Sequence, residues 1–346
     1  MSPLGYYKRK KRDKPMRART YIYIVGMAAL TLQGCCKKSH PNTPDVERHA
    51  IGMAAQSVTR ALIEDIGDLS EFAVYGYKQG PVSQMVFTNQ LVTRNGNAWT
   101  YTPTKYWDRT ATYSFAAYAP YTAQSGFTYT HDDAYRTLTI SLPYWQRIDG
   151  TETDIVVATS QGAATTYLNT YGGQVALNFD HLYAQLEVQV VRNAFLQNEY
   201  TLEALTYSDV PTPIDGTATY TLRYTEGTAT LPVTPANTPL APANNNGKTI
   251  SAQSVTVENE PHDGTTFKYL VVPFTAQTAD GFDITVTYSS GGAQTTATVN
   301  SGIQTLEPNK HYLLRLTINS GADITPTLEM LDWTDQEVDE DDKHNW

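Results

Sequence analysis

Apolar residues along this chain recur in short runs or at every second position, and Gly, Pro and Asn separate the runs. Residues 72–77 (FAVYGY), 84–92 (QMVFTNQLV) and 113–120 (YSFAAYAP) read as strands, the last stopped by Pro120. Leu138, Ile140 and Leu142 alternate with polar residues over 136–142, and 154–158 (DIVVA) is a short buried run. Leu186, Val188 and Val190 alternate with Gln185, Glu187 and Gln189, the signature of a half-buried strand. Further strands are predicted over 217–224, 250–258, 268–273, 282–288, 293–299, 312–318 and 325–333. Asn95 and Gly96 mark a tight turn between two strands, and the Pro-, Asn- and Ala-rich residues 232–246 mark a loop. No ten-residue stretch keeps a helical period. The pattern predicts an all-β chain built as sandwiches.

The N-terminal end follows different rules. Residues 21–32 (YIYIVGMAALTL) are an apolar run too short to span a bilayer but suited to a signal-peptide core, with Arg17 and Arg19 as its positive flank. Leu32, Gln33, Gly34 and Cys35 then form a lipobox. Residues 1–34 therefore read as a lipoprotein signal peptide, with Cys35 lipidated and the outer membrane as the anchoring partner. Met16 begins a compact signal peptide by itself. Residues 37–47 are polar and Pro-containing, as in a tether. In 49–58 (HAIGMAAQSV), Ile51, Met53 and Ala55 alternate with small or polar neighbours, predicting a weak strand with one buried face. Arg60 follows at once; taken alone, it reads as a solvated loop charge.

Composition narrows the function. The 346 residues carry a formal net charge of −10, and removing 1–34 leaves 17 basic against 34 acidic side chains. No basic stripe survives to neutralise phosphates, so nucleic acid is not expected as a partner. Roughly 310 residues beyond Cys35 exceed one hydrophobic core, so two domains are expected. They divide at the Gly172 and Gly173 break into 61–174 and 175–333, with an acidic tail over 334–346. The two cysteines, Cys35 and Cys36, are adjacent, which leaves the folded part no disulfide framework and no thiolate metal site.

The candidate chemistry is thin. Gly-x-Ser-x-Gly, His-Glu-x-x-His, phosphate-loop and dinucleotide patterns are absent, so neither an enzyme nor a cofactor is expected. His131, Asp132 and Asp133 are metal-ligating types between turn residues, where a solvated loop is the simpler reading. His181 sits among apolar neighbours and reads as a packing histidine. Trp99, Tyr106 and Trp107 are either a glycan-stacking platform or core residues, and their strand-and-turn spacing favours the core. The acids at 339–342 lack a Gly-punctuated loop, so no metal site is assigned to them.

A set of motifs appears in order behind the lipobox. Thr59, Arg60 and Ala61 come first. Phe72-x-Val-Tyr-Gly-Tyr77 and Phe87-x-Asn-Gln-x-Val92 follow. Then come Trp99-x-Tyr-x-Pro-x-Lys-Tyr-Trp107, Tyr113-x-Phe-x-Ala-Tyr-x-Pro120 and Asp154-Ile-Val-Val-Ala158. In the second half, Phe179-x-His181-x-x-Ala184 stands at the domain entry. The chain resembles the fimbrillin family, the type V pilins and related surface lipoproteins of Gram-negative anaerobes, over roughly residues 50–335.

The resemblance implies two tandem transthyretin-like β-sandwich domains and surface exposure on the outer membrane or in a fimbria. It implies an Arg-specific protease that cuts after the first strand, here at the Arg60–Ala61 bond, with Arg48 a poorer candidate. Loss of residues 50–58 opens an apolar groove, filled until then by Ile51, Met53 and Ala55. A strand from another fimbrial subunit replaces them, giving a polymer that serves adhesion. An unpaired strand gap does invite strand addition. The final strand, 325–333, either completes its own domain or is the donor for the next subunit; the tail beyond it is too acidic to fill an apolar groove well. The rival reading is a non-polymerising anchor, tip or monomeric lipoprotein that binds glycan or protein.

Overall fold

In the computed structural model the alternating runs become strands, and the structure describes residues 48–58, 69–208, 210, 216–226, 228–230, 248–276 and 279–332. The first half holds β1 (Gly52–Val58), β2 (Glu71–Gln79), β3 (Gln84–Asn95), β4 (Ala98–Thr100) and β5 (Thr112–Ala119). β6 (Thr128–Asp132), β7 (Thr137–Pro143), β8 (Trp145–Arg147), β9 (Val156–Ala163), the helix α1 (Ala164–Thr170) and β10 (Gln174–His181) follow. Next come β11 (Ala184–Arg192), β12 (Thr201–Ser208), β13 (Thr217–Arg223), β14 (Thr228–Thr230), β15 (Lys248–Thr256) and β16 (Thr266–Val271). The chain continues through β17 (Phe274–Thr275), β18 (Asp283–Ser290), β19 (Ala293–Asn300), β20 (Thr305–Leu306), β21 (Lys310–Ser320) and β22 (Asp323–Asp332).

These strands make one seven-stranded sheet, ordered β1-β10-β9-β5-β2-β3-β4, and four smaller ones. The large sheet curls until its two edge strands, β1 and β4, lie beside each other. Inside the curl is an apolar core that contains Phe72, Val74, Phe87, Phe115, Trp107 and Phe179. On the outside, Ala73, Tyr75, Ala116 and Tyr118 pack against Leu138, Ile140, Leu142, Tyr220 and Leu222 of the sheet β14-β13-β7-β6. β2 and β5 are therefore covered on both faces, which is why FAVYGY and YSFAAYA are continuous apolar runs without alternation. A further core lies between the sheets β22-β21-β11-β16-β8 and β15-β12-β18-β19, where Leu186, Val188, Phe282, Ile284 and Leu314 meet. The described residues are thus all-β sandwiches with one short helix. The predicted loop over 232–246 lies outside the described residues.

Several placements differ from the sequence expectation. β10, expected to open the second domain, pairs with β1 and β9 in the large sheet. The chain crosses to the next sheet only at Leu182 and Tyr183, both buried. Conversely β8 from the first half pairs with β16, and β13 from the second half pairs with β7. The polar side of β11 is buried too, because it is a central strand whose outward residues are covered by their cross-strand neighbours. Glu187 there accepts a 2.7 Å hydrogen bond from Gln189 and lies 3.6 Å from Lys268 and 3.4 Å from His311. The helix α1 shows no side-chain cap and is too short to display a period; it holds because Ala164 and Tyr167 are buried.

Gly281, before β18, has φ +87°, and a Cβ there would stand 2.5 Å from Ser301 Oγ and 2.7 Å from the backbone of Ile303. Gly281→Ala is expected to cost about 2–4 kcal/mol through positive-φ strain and overpacking, measured as a lowered urea midpoint.

Candidate functional site

Two strand pairs among the described residues run parallel, β11 with β21 and β1 with β10, and of these four strands only β1 is an edge strand. It runs along β10 from Gly52 opposite Gln174 to Val58 opposite Phe179. Short, Ala- and Gly-rich and on an edge, GMAAQSV has little intrinsic reason to be a strand. What fixes it is the segment leading in. Trp107 N–H donates to the His49 carbonyl at 3.0 Å, and Ile51 N–H donates to the Lys105 carbonyl at 2.9 Å. Ala50 and Tyr106 form an isolated antiparallel bridge between them. The Tyr101 hydroxyl donates to the Ile51 carbonyl at 2.6 Å.

Gly173 completes the clamp. Its carbonyl accepts from Gly52 N–H at 2.8 Å and from the Trp107 indole at 3.0 Å. The turn needs φ +84° at this position, and a Cβ would sit 3.4 Å from the Ala50 carbonyl, so glycine suits both the conformation and the approach. The Trp107 ring in turn stacks on Tyr167 of α1 at 4.8 Å. The short helix thus buttresses the residue that holds β1.

The side chains of β1 and its lead-in follow the predicted alternation. Ile51 and Met53 are buried, 1% and 4% exposed, and Ala55 is partly buried against the same core as Phe72 and Phe87. Burying the first two contributes about 3–6 kcal/mol. The side chains of residues 56–58 are not described, and Cys35, Arg60, Ala61 and the 334–346 tail lie outside the described residues.

A second edge strand stands at the other end of the chain. β22 pairs with β21 along its whole length, from Ser320 opposite Asp323 to Lys310 opposite Asp332. Pro326, Leu328 and Met330 are in register with the core-facing Leu316, Leu314 and Tyr312. Yet Leu328 is 38% and Met330 62% exposed, and among the described side chains of β22 only Ile324 is buried. β22 is held by its backbone ladder more than by packing, and its proline is tolerated because it is on an edge.

The other candidates resolve as packing. His131 is not in a solvated loop: it lies in β6, stacked on Tyr75 at 4.1 Å and bonded to the Tyr224 hydroxyl at 2.8 Å. Burial pushes its pKa down, against the raising effect of the Asp133 carboxylate 2.9 Å away. Among the described residues no group of three His, Cys, Asp or Glu side chains is placed to hold a metal. His181 is buried, with Nδ1 2.6 Å from Asp154 and its N–H donating to Asn309 Oδ1 at 2.8 Å. Trp107 is buried and Trp99 packs on Phe72 at 5.0 Å, leaving Tyr106 as the exposed member of that trio. Tyr101, Trp107 and Gly173 are the site residues that sequence reasoning missed as clamps. The dense aromatic spacing from Trp99 to Trp107 was their visible signal.

A family model described as fimbrillin-like matches residues 59–333, which is most of the chain. This chain belongs to the fimbrillin-like family. The matched region begins one residue after β1 ends. Among solved structures, this fimbrillin-like chain is similar to a fimbrial protein from Bacteroides vulgatus. The two share 14% identity over 83% of this chain and 100% of the other, at a TM-score of 0.54. A protein from Bacteroides uniformis ascribed a role in cell adhesion aligns at 18% identity, over 84% of this chain and 100% of the other, with a TM-score of 0.49. At such identities the likeness to the fimbrial protein speaks to the fold. No curated protein matches the chain at a significant level.

Tyr101→Phe removes the bond to the Ile51 carbonyl and is expected to cost about 1 kcal/mol, localised at β1. Hydrogen exchange of the amides around Gly52–Val58 should accelerate several-fold while those of β5 stay protected; equal acceleration in both would show that the clamp is not local.

Proposed function

We propose that this fimbrillin-like chain is a structural subunit of a surface fimbria that serves cell adhesion, with no catalysis of its own. It is exported to the outer membrane as a lipoprotein through Cys35. An Arg-specific protease cuts the Arg60–Ala61 bond, β1 leaves, and a strand from another fimbrial subunit takes its place. The observation that carries this reading is the position of β1. It is an edge strand whose departure breaks no other strand pairing than that with β10, and its Ile51, Met53 and Ala55 face fills the core of the large sheet. It is joined to β2 by the residues 59–70, which include Arg60. Removing it would leave the outer edge of β10 without backbone partners and an apolar slot behind it, both of which favour strand addition.

The same logic selects a donor. β22 presents alternating apolar residues, Ile324, Leu328 and Met330, on an edge strand that its own domain covers incompletely. It can leave at small cost in packing, and its spacing suits a groove that reads every second side chain. We assign the donor role to β22 rather than to the acidic tail after it.

The decisive measurement is the N-terminal residue of the protein recovered from the cell surface. Ala61 is expected from assembled fibres, and Arg60→Ala should leave a lipidated Cys35 N-terminus and no fibres; normal fibres from that variant would sink the cleavage claim. For the donor, Leu328→Asp with Met330→Asp should change subunit stability by no more than about 1 kcal/mol, because both side chains are exposed, yet abolish polymerisation. Fibres of wild-type length seen by electron microscopy would exclude β22 as the donor.

A further inference from the structure

The methionines of this chain differ sharply in exposure. Met1, Met16 and Met27 lie outside the described residues. Met53, on the core-facing side of β1, is 4% exposed and packs in the core of the large sheet. Met85 of β3 is partly buried against the core outside β2 and β5, and its Sδ accepts from the Tyr224 hydroxyl at 3.6 Å. Met330 of β22 is 62% exposed. The resident strand β1 and the proposed donor β22 thus carry one methionine each, and of the two only that of β22 is open to solvent.

A thioether exposed to water reacts with two-electron oxidants. Its Sδ lone pair attacks one oxygen of hydrogen peroxide, an S–O bond forms, and the O–O bond breaks. The departing hydroxide takes the proton of the new S–OH group and leaves as water. The sulfur is oxidised, the peroxide is reduced, and the product is methionine sulfoxide. An apolar side chain has become a polar one. In its own domain Met330 stands opposite Tyr312 on an edge strand and remains open to solvent, so a sulfoxide there stays hydrated. Carried into an apolar groove, the same oxygen would lose its water and gain no donor in return, which opposes entry.

We propose that Met330 is an oxidation site through which peroxides block strand donation: the thioether enters the groove of a neighbouring subunit and the sulfoxide does not. This rests on β22 being the donor strand. Met53 is shielded by the core, so the oxidant acts on the donor and leaves the resident strand seated. Reduction of the sulfoxide returns the strand to its apolar form, which makes the block reversible.

The test treats the full chain with dilute hydrogen peroxide and follows each methionine by peptide mass spectrometry. Met330 is expected to gain oxygen about tenfold or more faster than Met53 and Met85, with no change in the urea midpoint of the oxidised chain. Once the peroxide is removed and an Arg-specific protease added, chain oxidised at Met330 should form fibres about tenfold more slowly than untreated chain, and methionine sulfoxide reductase should restore the rate. Met330→Leu keeps an apolar side chain of similar size and should assemble equally well before and after peroxide. In fibres of untreated chain, Met330 should resist oxidation because the neighbouring subunit covers it. Unchanged assembly of the oxidised chain, equal loss of assembly in Met330→Leu, or a Met330 that reacts as fast in fibres as in free subunits would overturn the proposal. Failure of the donor reading has a different signature, normal fibres from Leu328→Asp with Met330→Asp, and the redox control falls with it. If that double variant is inert while oxidised chain assembles normally, β22 stays the donor and the redox control alone is lost.

Discussion

A β-strand in the middle of a sheet must satisfy donors and acceptors on both of its edges, and β10 meets that demand by two unlike means. On one side it pairs with β9, a neighbour in sequence. On the other it depends on a seven-residue strand that arrives from the far N-terminal end and runs parallel to it. Everything that makes the first sandwich closed follows from that second partner. β1 brings the two edges of the curled sheet together, and Ile51 and Met53 complete the core in which Phe72, Phe87, Phe115 and Trp107 pack. The strand itself has weak propensity, so the work of holding it falls to Tyr101, Trp107 and the Gly173 carbonyl.

The two halves of the chain each lend a strand to the other's sheets. β8 reaches forward and β13 reaches back, and the core outside β2 and β5 takes side chains from both halves, including Leu182, Tyr220, Leu270 and Val272. The buried His181 and Asp154 pair lies at this crossing, where Asn309 also bonds the chain on either side. Departure of an outer edge strand such as β1 or β22 leaves these shared contacts untouched, because neither contributes a residue to that middle core.

Much of the fold was legible in the sequence because burial on one face writes itself as alternation. β7, β11 and β18 show Leu, Ile and Val at every second position, and β2 and β5 show the unbroken apolar run of strands covered twice. β6, β8 and β12 were harder. β6 buries aromatic and His residues that read as turn-like, β8 is three residues long, and a bulge at Leu202 and Ala204 breaks the period of β12. Ile51, Met53 and Ala55 were visible as a face, whereas their clamps were not. Tyr101 acts through a hydroxyl on a backbone carbonyl fifty residues away, and Gly173 through its own carbonyl; no spacing rule records such bonds. The His181 and Asp154 pairing has the same character, two residues 27 apart joined only once β9 and β10 are side by side.

The polarity of β1 has a thermodynamic consequence. Parallel ladders use slanted hydrogen bonds and are slightly less stable per residue than antiparallel ones. The strand that closes this sheet therefore makes the weaker of the two kinds of pairing open to the edge of β10, and its Ala-rich sequence adds modest contact. A strand entering that slot from the opposite direction, with larger apolar side chains, would gain on both counts without any change in the rest of the sheet.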